Sequence, residues 1–159
     1  KKIDYRISAL IITRDTAQIT SLIAELVPIS IQKDIHVQSG TRKNMPNLLK
    51  AVDISVSFIE PSFARQASSP TKMAESFAMG IPVICNSGVG DIEAQVNNLS
   101  GGIVIDSLSD EALNDLSSNL DKIINQGGIR LRRASKEYFD LNIANERYKM
   151  IYNDILGAN

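Results

Sequence analysis

Ser68, Ser69, Pro70, Thr71, Lys72 and Glu75 form the densest group of residues in this chain able to do chemistry. The run continues through Gly80, Ile81, Pro82, Val83, Ile84 and Cys85. It reads as a loop, a sharply capped helix, a glycine stop and a buried strand. The pattern predicts Ser69 as N-cap and Pro70 as the first helical residue, where a missing N–H costs nothing. Gly80 supplies the helix stop, and Pro82 prevents continuation. Such a helix start exposes free N–H groups and a positive dipole end just after a loop of small residues. That suits an anion such as a phosphate. Lys72 adds charge in the first turn. Glu75, one turn into the helix, could accept hydrogen bonds from a pair of sugar hydroxyls. Phosphate plus ribose points to a nucleotide. The plainer alternative is a solvent-facing Glu75 paired with Lys72 at i,i+3, worth a few tenths of a kcal/mol.

The remaining reactive side chains are sparse. His36 is the only histidine, has no Cys or His partner at metal-ligand spacing, and reads as structural. Cys85 is the only cysteine, so no intrachain disulfide is possible, which fits a reducing, cytoplasmic compartment. Its place at the end of an apolar strand, with no base beside it, reads as an inert thiol. Arg42 and Lys43 fall in a polar loop, either solvated or in reach of a base or phosphate.

The elements that must position these residues follow from periodicity. Strands are predicted over 6–13, 35–38, 53–59, 81–85 and 102–106. Helices are predicted from Asp15 to Leu26, with Ile19, Leu22, Ile23 and Leu26 on one face, and over 45–52, 70–79 and 91–97. Ser109 or Asp110 caps a further helix to about Asn125, which Gly127 and Gly128 break. Two last helices cover 129–139 and 142–156, with Tyr138, Phe139, Tyr148 and Tyr152 spaced for packing. Alternating short apolar strands and helices predict an α/β fold: a doubly wound, Rossmann-like parallel sheet covered on both faces. Ligands of such sheets bind beyond the carboxyl ends of the strands, where the 60–71 loop lies.

At 159 residues, one domain is expected. Composition is that of an ordinary globular chain, 43% hydrophobic and 22% charged, and the net charge of −1 creates no global field for nucleic acid. No apolar run is long enough to span a bilayer.

Taken in order, these pieces resemble a known family. Pro70 to Glu75, followed by Gly80 to Ile84, looks like the signature block of the C-terminal, donor-binding domain of retaining GT-B glycosyltransferases of family 4. Ala51 to Val56 resembles the strand before that block, and Gly88 to Ile92 the loop and helix start after it. Gly101 to Ile105 with Asp110 to Leu113 resembles the next strand and helix, and Glu146 to Tyr152 the closing helix. The resemblance covers nearly the whole chain.

It implies that residues 1–159 are a single Rossmann-like domain binding a nucleoside diphosphate sugar, which is substrate rather than cofactor. Glu75 would hold the ribose hydroxyls, and Ser69, Thr71, Lys72, Gly88 and Gly90 the diphosphate. Ser68, Arg42 and Lys43 would serve the donor sugar or the base. Gly88-Val89-Gly90 also imitates a dinucleotide fingerprint, but its third glycine is missing and it does not follow the first strand. The reaction would be glycosyl transfer to a saccharide or similar acceptor, with the leaving diphosphate stabilised by fixed dipoles and cations.

Two departures stand out. In the family's usual Glu-x7-Glu pair, a first carboxylate separated from Glu75 by seven residues would fall at position 67, which is Ala67. The chain also opens one strand later than the family's domain. The expectation is therefore a fragment, inactive alone, that lacks its first strand and an N-terminal acceptor domain and whose parent is cytoplasmic or peripheral at the inner membrane face. A nucleotide-sugar 2-epimerase of the same fold and a degenerate binding module without transfer activity are the alternatives.

Overall fold

The structure is a computed structural model and describes residues 7–157. The chain forms two compact units, Lys1–Val52 and Asp53–Asn159. Arg6, the expected start of the first strand, lies outside the described residues.

The first unit holds strands β1 (Ala9–Ile12) and β2 (Ile35–Gln38) and helices α1 (Thr16–Leu26), α2 (Ile29–Gln32) and α3 (Met45–Leu49). β1 and β2 pair in parallel, with Ala9 opposite Ile35. Asp15 stands at the N-cap of α1, but its side chain caps nothing. Its N–H donates instead to Thr13 Oγ1 at 3.1 Å. Ile19 and Ile23 of the expected apolar face are half-buried, whereas Leu22 and Leu26 are exposed. Val27 is extended, as the residue before Pro28 must be, and this ends α1. The short α2 that follows was not legible from periodicity. Gln32 fastens it by donating from Nε2 to the Val27 carbonyl at 2.7 Å.

The second unit holds β3 (Ser55–Ser57), α4 (Thr71–Ala78), β4 (Val83–Asn86), α5 (Ile92–Leu99), β5 (Gly102–Ile105), α6 (Asp110–Ser118), α7 (Leu120–Ile124), α8 (Ile129–Phe139) and α9 (Leu141–Leu156). A 3-10 turn, Phe63–Ala67, interrupts the loop before α4. The three strands form a parallel sheet in the order β3-β4-β5. β4 is central and buried on both faces, which is why its residues are Val83, Ile84 and Cys85 without alternation. Gly102 lies so close to Val83 that a methyl there would strike the Val83 carbonyl.

The sequence pattern predicts one doubly wound sheet. Among the described residues, backbone hydrogen bonds instead join the strands in two parallel sheets, β1-β2 and β3-β4-β5. Alternation of strands and helices fixes that strands are parallel and covered. It does not fix which strands are neighbours, and the short β3 directs its bonds to β4.

Met73, Ser76 and Phe77 make the buried face of α4, and Ser76 satisfies its hydroxyl on the Lys72 carbonyl at 3.0 Å. Phe77, Val83, Cys85, Ile92, Val96 and Leu131 form the centre of the core. α8 packs on both α4 and α5 and brings Leu131 to that centre. Phe139 adds its ring 6.3 Å from that of Phe77 and 5.3 Å from Tyr138. Tyr148 and Tyr152, expected to pack, are instead 64% and 61% exposed on α9. The helix expected over 110–125 breaks at Asn119, whose backbone leaves the helical region between α6 and α7. Ser109 caps α6, accepting from Ala112 N–H at 3.3 Å.

Among the described residues, no helix is long and apolar enough to cross a membrane. The architecture is that of a Rossmann-like α/β module, a fold suited to nucleotides and cofactors.

Candidate nucleotide-binding site

The carboxyl ends of β3 and β4 launch two loops, 58–70 and 87–91, and one side chain ties those ends together. Asn86 accepts from Ile59 N–H at Oδ1 and donates from Nδ2 to the Ile59 carbonyl, both at 2.8 Å. Nδ2 also donates to the Ser87 carbonyl at 2.9 Å. Asn86 was not singled out by its sequence context, because a strand-end asparagine looks like an ordinary turn former.

The two loops then touch through backbone. Gly90, at φ +48°, lies against Ser68 so closely that a methyl on it would strike the Ser68 carbonyl oxygen. Gly88, at φ +80°, faces Pro61, and a methyl there would lie a tight 3.3 Å from the proline Cβ. Gly90 therefore needs glycine for conformation and for close approach, and Gly88 mainly for conformation. Ser68, Ser69, Gly88 and Gly90 are thus brought into one loop cluster at the opening of α4.

Helix α4 starts one residue later than predicted. Pro70, with φ −68° and ψ 113°, is the N-cap, and Thr71 is the first helical residue. Ser69 does not cap it. Its Oγ accepts instead from Gln95 Nε2 of α5 at 3.4 Å. The first-turn N–H of Met73 is satisfied by the Pro70 carbonyl at 3.1 Å. The N–H groups of Thr71 and Lys72 have no partner among the described residues. The helix is two turns long and ends where Gly80, at φ +77°, turns the chain.

Lys72 and Glu75 are both exposed, and among the described residues they form no ion pair with each other. The pairing offered above as the plain account of Glu75 is therefore absent. Both charges stand free at the start of α4, beside two unpaired amides. Ala67, where the resemblance leads one to expect a carboxylate, is the last residue of the 3-10 turn and is exposed.

Arg42 and Lys43 belong to the first unit, on the exposed turn after β2. Asn44 Oδ1 accepts from Thr41 N–H at 2.6 Å and from Thr41 Oγ1 at 2.9 Å, which leaves the two intervening cations at the tip of the turn. His36 lies in β2 beside Leu10 of β1 and lines a recess with Ser8 and Gln38. No cluster of three His, Cys, Asp or Glu able to hold a metal ion occurs among the described residues.

Cys85 is buried on the central strand. Burial pushes its thiol up to about 11, and the carboxylate of Glu93 adds to the effect. The thiol stays protonated at neutral pH and is no nucleophile.

The arrangement offers an anion two free amides, a lysine and a serine hydroxyl, with a carboxylate one turn away for hydroxyls. No protein-family model and no curated protein sequence matches this chain.

Proposed function

We propose that the chain is the donor-nucleotide-binding domain of a glycosyltransferase, read as one Rossmann-like domain over residues 1–159. The reading rests on the opening of α4, where the unpaired N–H groups of Thr71 and Lys72 stand beside the Ser68–Gly90 backbone contact and an unpaired Glu75. Thr71, Lys72, Ser69, Gly88 and Gly90 would take the diphosphate, since amides at a helix start and a glycine turn concentrate positive potential without a counter-charge. Glu75 would accept from the two ribose hydroxyls, and Ser68 would face the donor sugar. Arg42 and Lys43 are assigned to base or sugar by the family resemblance alone.

The parent enzyme would move a sugar from a nucleoside diphosphate sugar to a saccharide acceptor held by an N-terminal domain. The chain's own part is to bind and orient the donor and to lower the charge on the departing diphosphate with fixed dipoles and Lys72. Ala67 favours a second reading, a nucleotide-binding module without transfer activity. A small apolar side chain at that position offers the donor sugar no acceptor.

Calorimetric titration with UDP and with GDP tests the proposal. One nucleotide should bind weakly, and Glu75→Ala should weaken it about tenfold, the loss of a charge-assisted hydrogen bond. A folded wild-type protein that binds neither nucleotide would overturn it. Binding that is insensitive to Glu75→Ala would remove Glu75 from the site.

A further inference from the structure

The α4 opening is backed by a buried side chain with an unmet hydrogen-bonding need. Gln95, on α5, is 3% exposed, and its carbonyl oxygen Oε1 has no partner among the described residues. Its amide nitrogen does all the bonding. One hydrogen goes to Asp91 Oδ2, at the N-cap of the same helix, and the other to Ser69 Oγ at 3.4 Å. Asp91, as a carboxylate, only accepts, so the amide must present nitrogen to it. With both amide hydrogens committed, Ser69 can meet Gln95 only as an acceptor.

A serine hydroxyl has one hydrogen to give. At Ser69 that hydrogen makes no bond among the described residues, and the residue is exposed two positions ahead of the free Thr71 amide. An orphaned buried acceptor is unfavourable, and a leucine at position 95 would avoid it. Asp91 and Ser69 are both exposed and could be hydrated without Gln95. The relay therefore contributes little to holding the fold and is a means of setting the direction of one hydrogen.

We propose that Gln95 is a positioning residue of the anion site: oriented by Asp91, it forces the Ser69 hydroxyl to act as a donor to a phosphate oxygen at the start of α4. The inference rests on the anion half of the function proposed above and is independent of ribose recognition.

Inorganic pyrophosphate is the probe, titrated calorimetrically against the full chain, with thermal unfolding of every variant. Ser69→Ala and Gln95→Leu should each weaken pyrophosphate about tenfold, while Gln95→Leu keeps or raises the unfolding temperature. The double variant should lose no more than Ser69→Ala alone, because Gln95 acts through that hydroxyl. Asp91→Asn with Gln95→Glu reverses the polarity of the relay at constant net charge. Residue 95 is then the acceptor, and the serine hydrogen turns inward to it. That variant should keep a 91–95 bond yet still bind pyrophosphate as poorly as Ser69→Ala.

Wild-type binding that survives Gln95→Leu would overturn the positioning role and leave the donor-domain reading intact. Independent, multiplying losses in the double variant would do the same. Pyrophosphate binding without UDP or GDP binding would leave the positioning role standing and remove the nucleotide. A wild-type protein that binds none of the three would overturn both.

Discussion

Asn86 and Ile59 exchange a complete pair of hydrogen bonds, side-chain amide to backbone amide, 27 residues apart in sequence. The pair imitates one rung of a β-ladder at the last residue of β4, two residues beyond the end of β3. It fixes the spacing between the two loops that carry Ser68, Ser69, Gly88 and Gly90.

Replacing Asn86 should therefore harm both stability and site geometry. Asn86→Leu leaves the Ile59 N–H and carbonyl without partners in a half-buried setting, at a cost of about 2 kcal/mol. Asn86→Asp keeps the acceptor but loses the donor, and it sets a carboxylate against two carbonyls. The urea midpoint should fall for both variants at unchanged slope. Wild-type midpoints would show that water replaces the amide without loss.

Gly80 meets Gly128 backbone to backbone. Gly128 N–H donates to the Gly80 carbonyl at 2.7 Å, and a methyl on Gly80 would lie 2.6 Å from the Gly128 oxygen. Gly80→Ala combines that clash with the strain of φ +77° and should destabilise by about 2 kcal/mol or more. Gly157, at φ +63°, has open space around it, so Gly157→Ala should cost about 1 kcal/mol. Equal losses in a paired denaturation experiment would mean that close packing at Gly80 is immaterial.

Gly90→Ala drives a methyl into the Ser68 carbonyl and must separate the two loops. Pyrophosphate affinity should fall by more than tenfold, against a smaller loss for Gly88→Ala, whose neighbour is the side chain of Pro61. The opposite ranking would place the anion away from the Ser68–Gly90 contact.

Cys85 gives a pH signature. Its thiol ionises at about 11 in the folded chain against about 9 when unfolded. Between those values the folded state holds the proton that the unfolded state has released, so stability is complete below about pH 9 and declines as pH rises towards 11. Cys85→Ala should reduce that alkaline decline. In the wild-type protein, a thiol reagent at neutral pH should label Cys85 only on addition of denaturant. Fast labelling of the native chain would mean that the strand opens.

What was legible in the sequence is what lies close along the chain. The bounds of β2 and α8, the glycine stop at Gly80 and the grouping of loops at strand ends all follow from local pattern and turn chemistry. Misreadings arose where a distant partner decides. Ser69 is chemically a good N-cap, but Gln95, 26 residues on, holds its oxygen. Arg130, the second residue of α8, shows nothing along the chain of the groups it joins. In the structure its guanidinium donates to the carbonyls of Leu99, Ser100 and Gln126 at 2.7–2.8 Å and closes the end of α5. Asn86 and Gln95 carried no local signal at all. An amide side chain shows its importance only through the groups it joins.

The order of β3, β4 and β5 across their sheet is also their order along the chain. Each strand can thus be laid down beside its predecessor as soon as one helix has been made, and no earlier gap has to be filled later. The exception is α8, which supplies Leu131 to a core whose other members are already in place by Leu99. A chain emerging from the ribosome would hold a complete three-stranded sheet while Phe77 still awaited its cover. Until α8 arrives, that sheet has every ladder bond it will have in the finished unit and an unsealed apolar face. That interval is when this half of the molecule is most exposed to a chaperone or to aggregation.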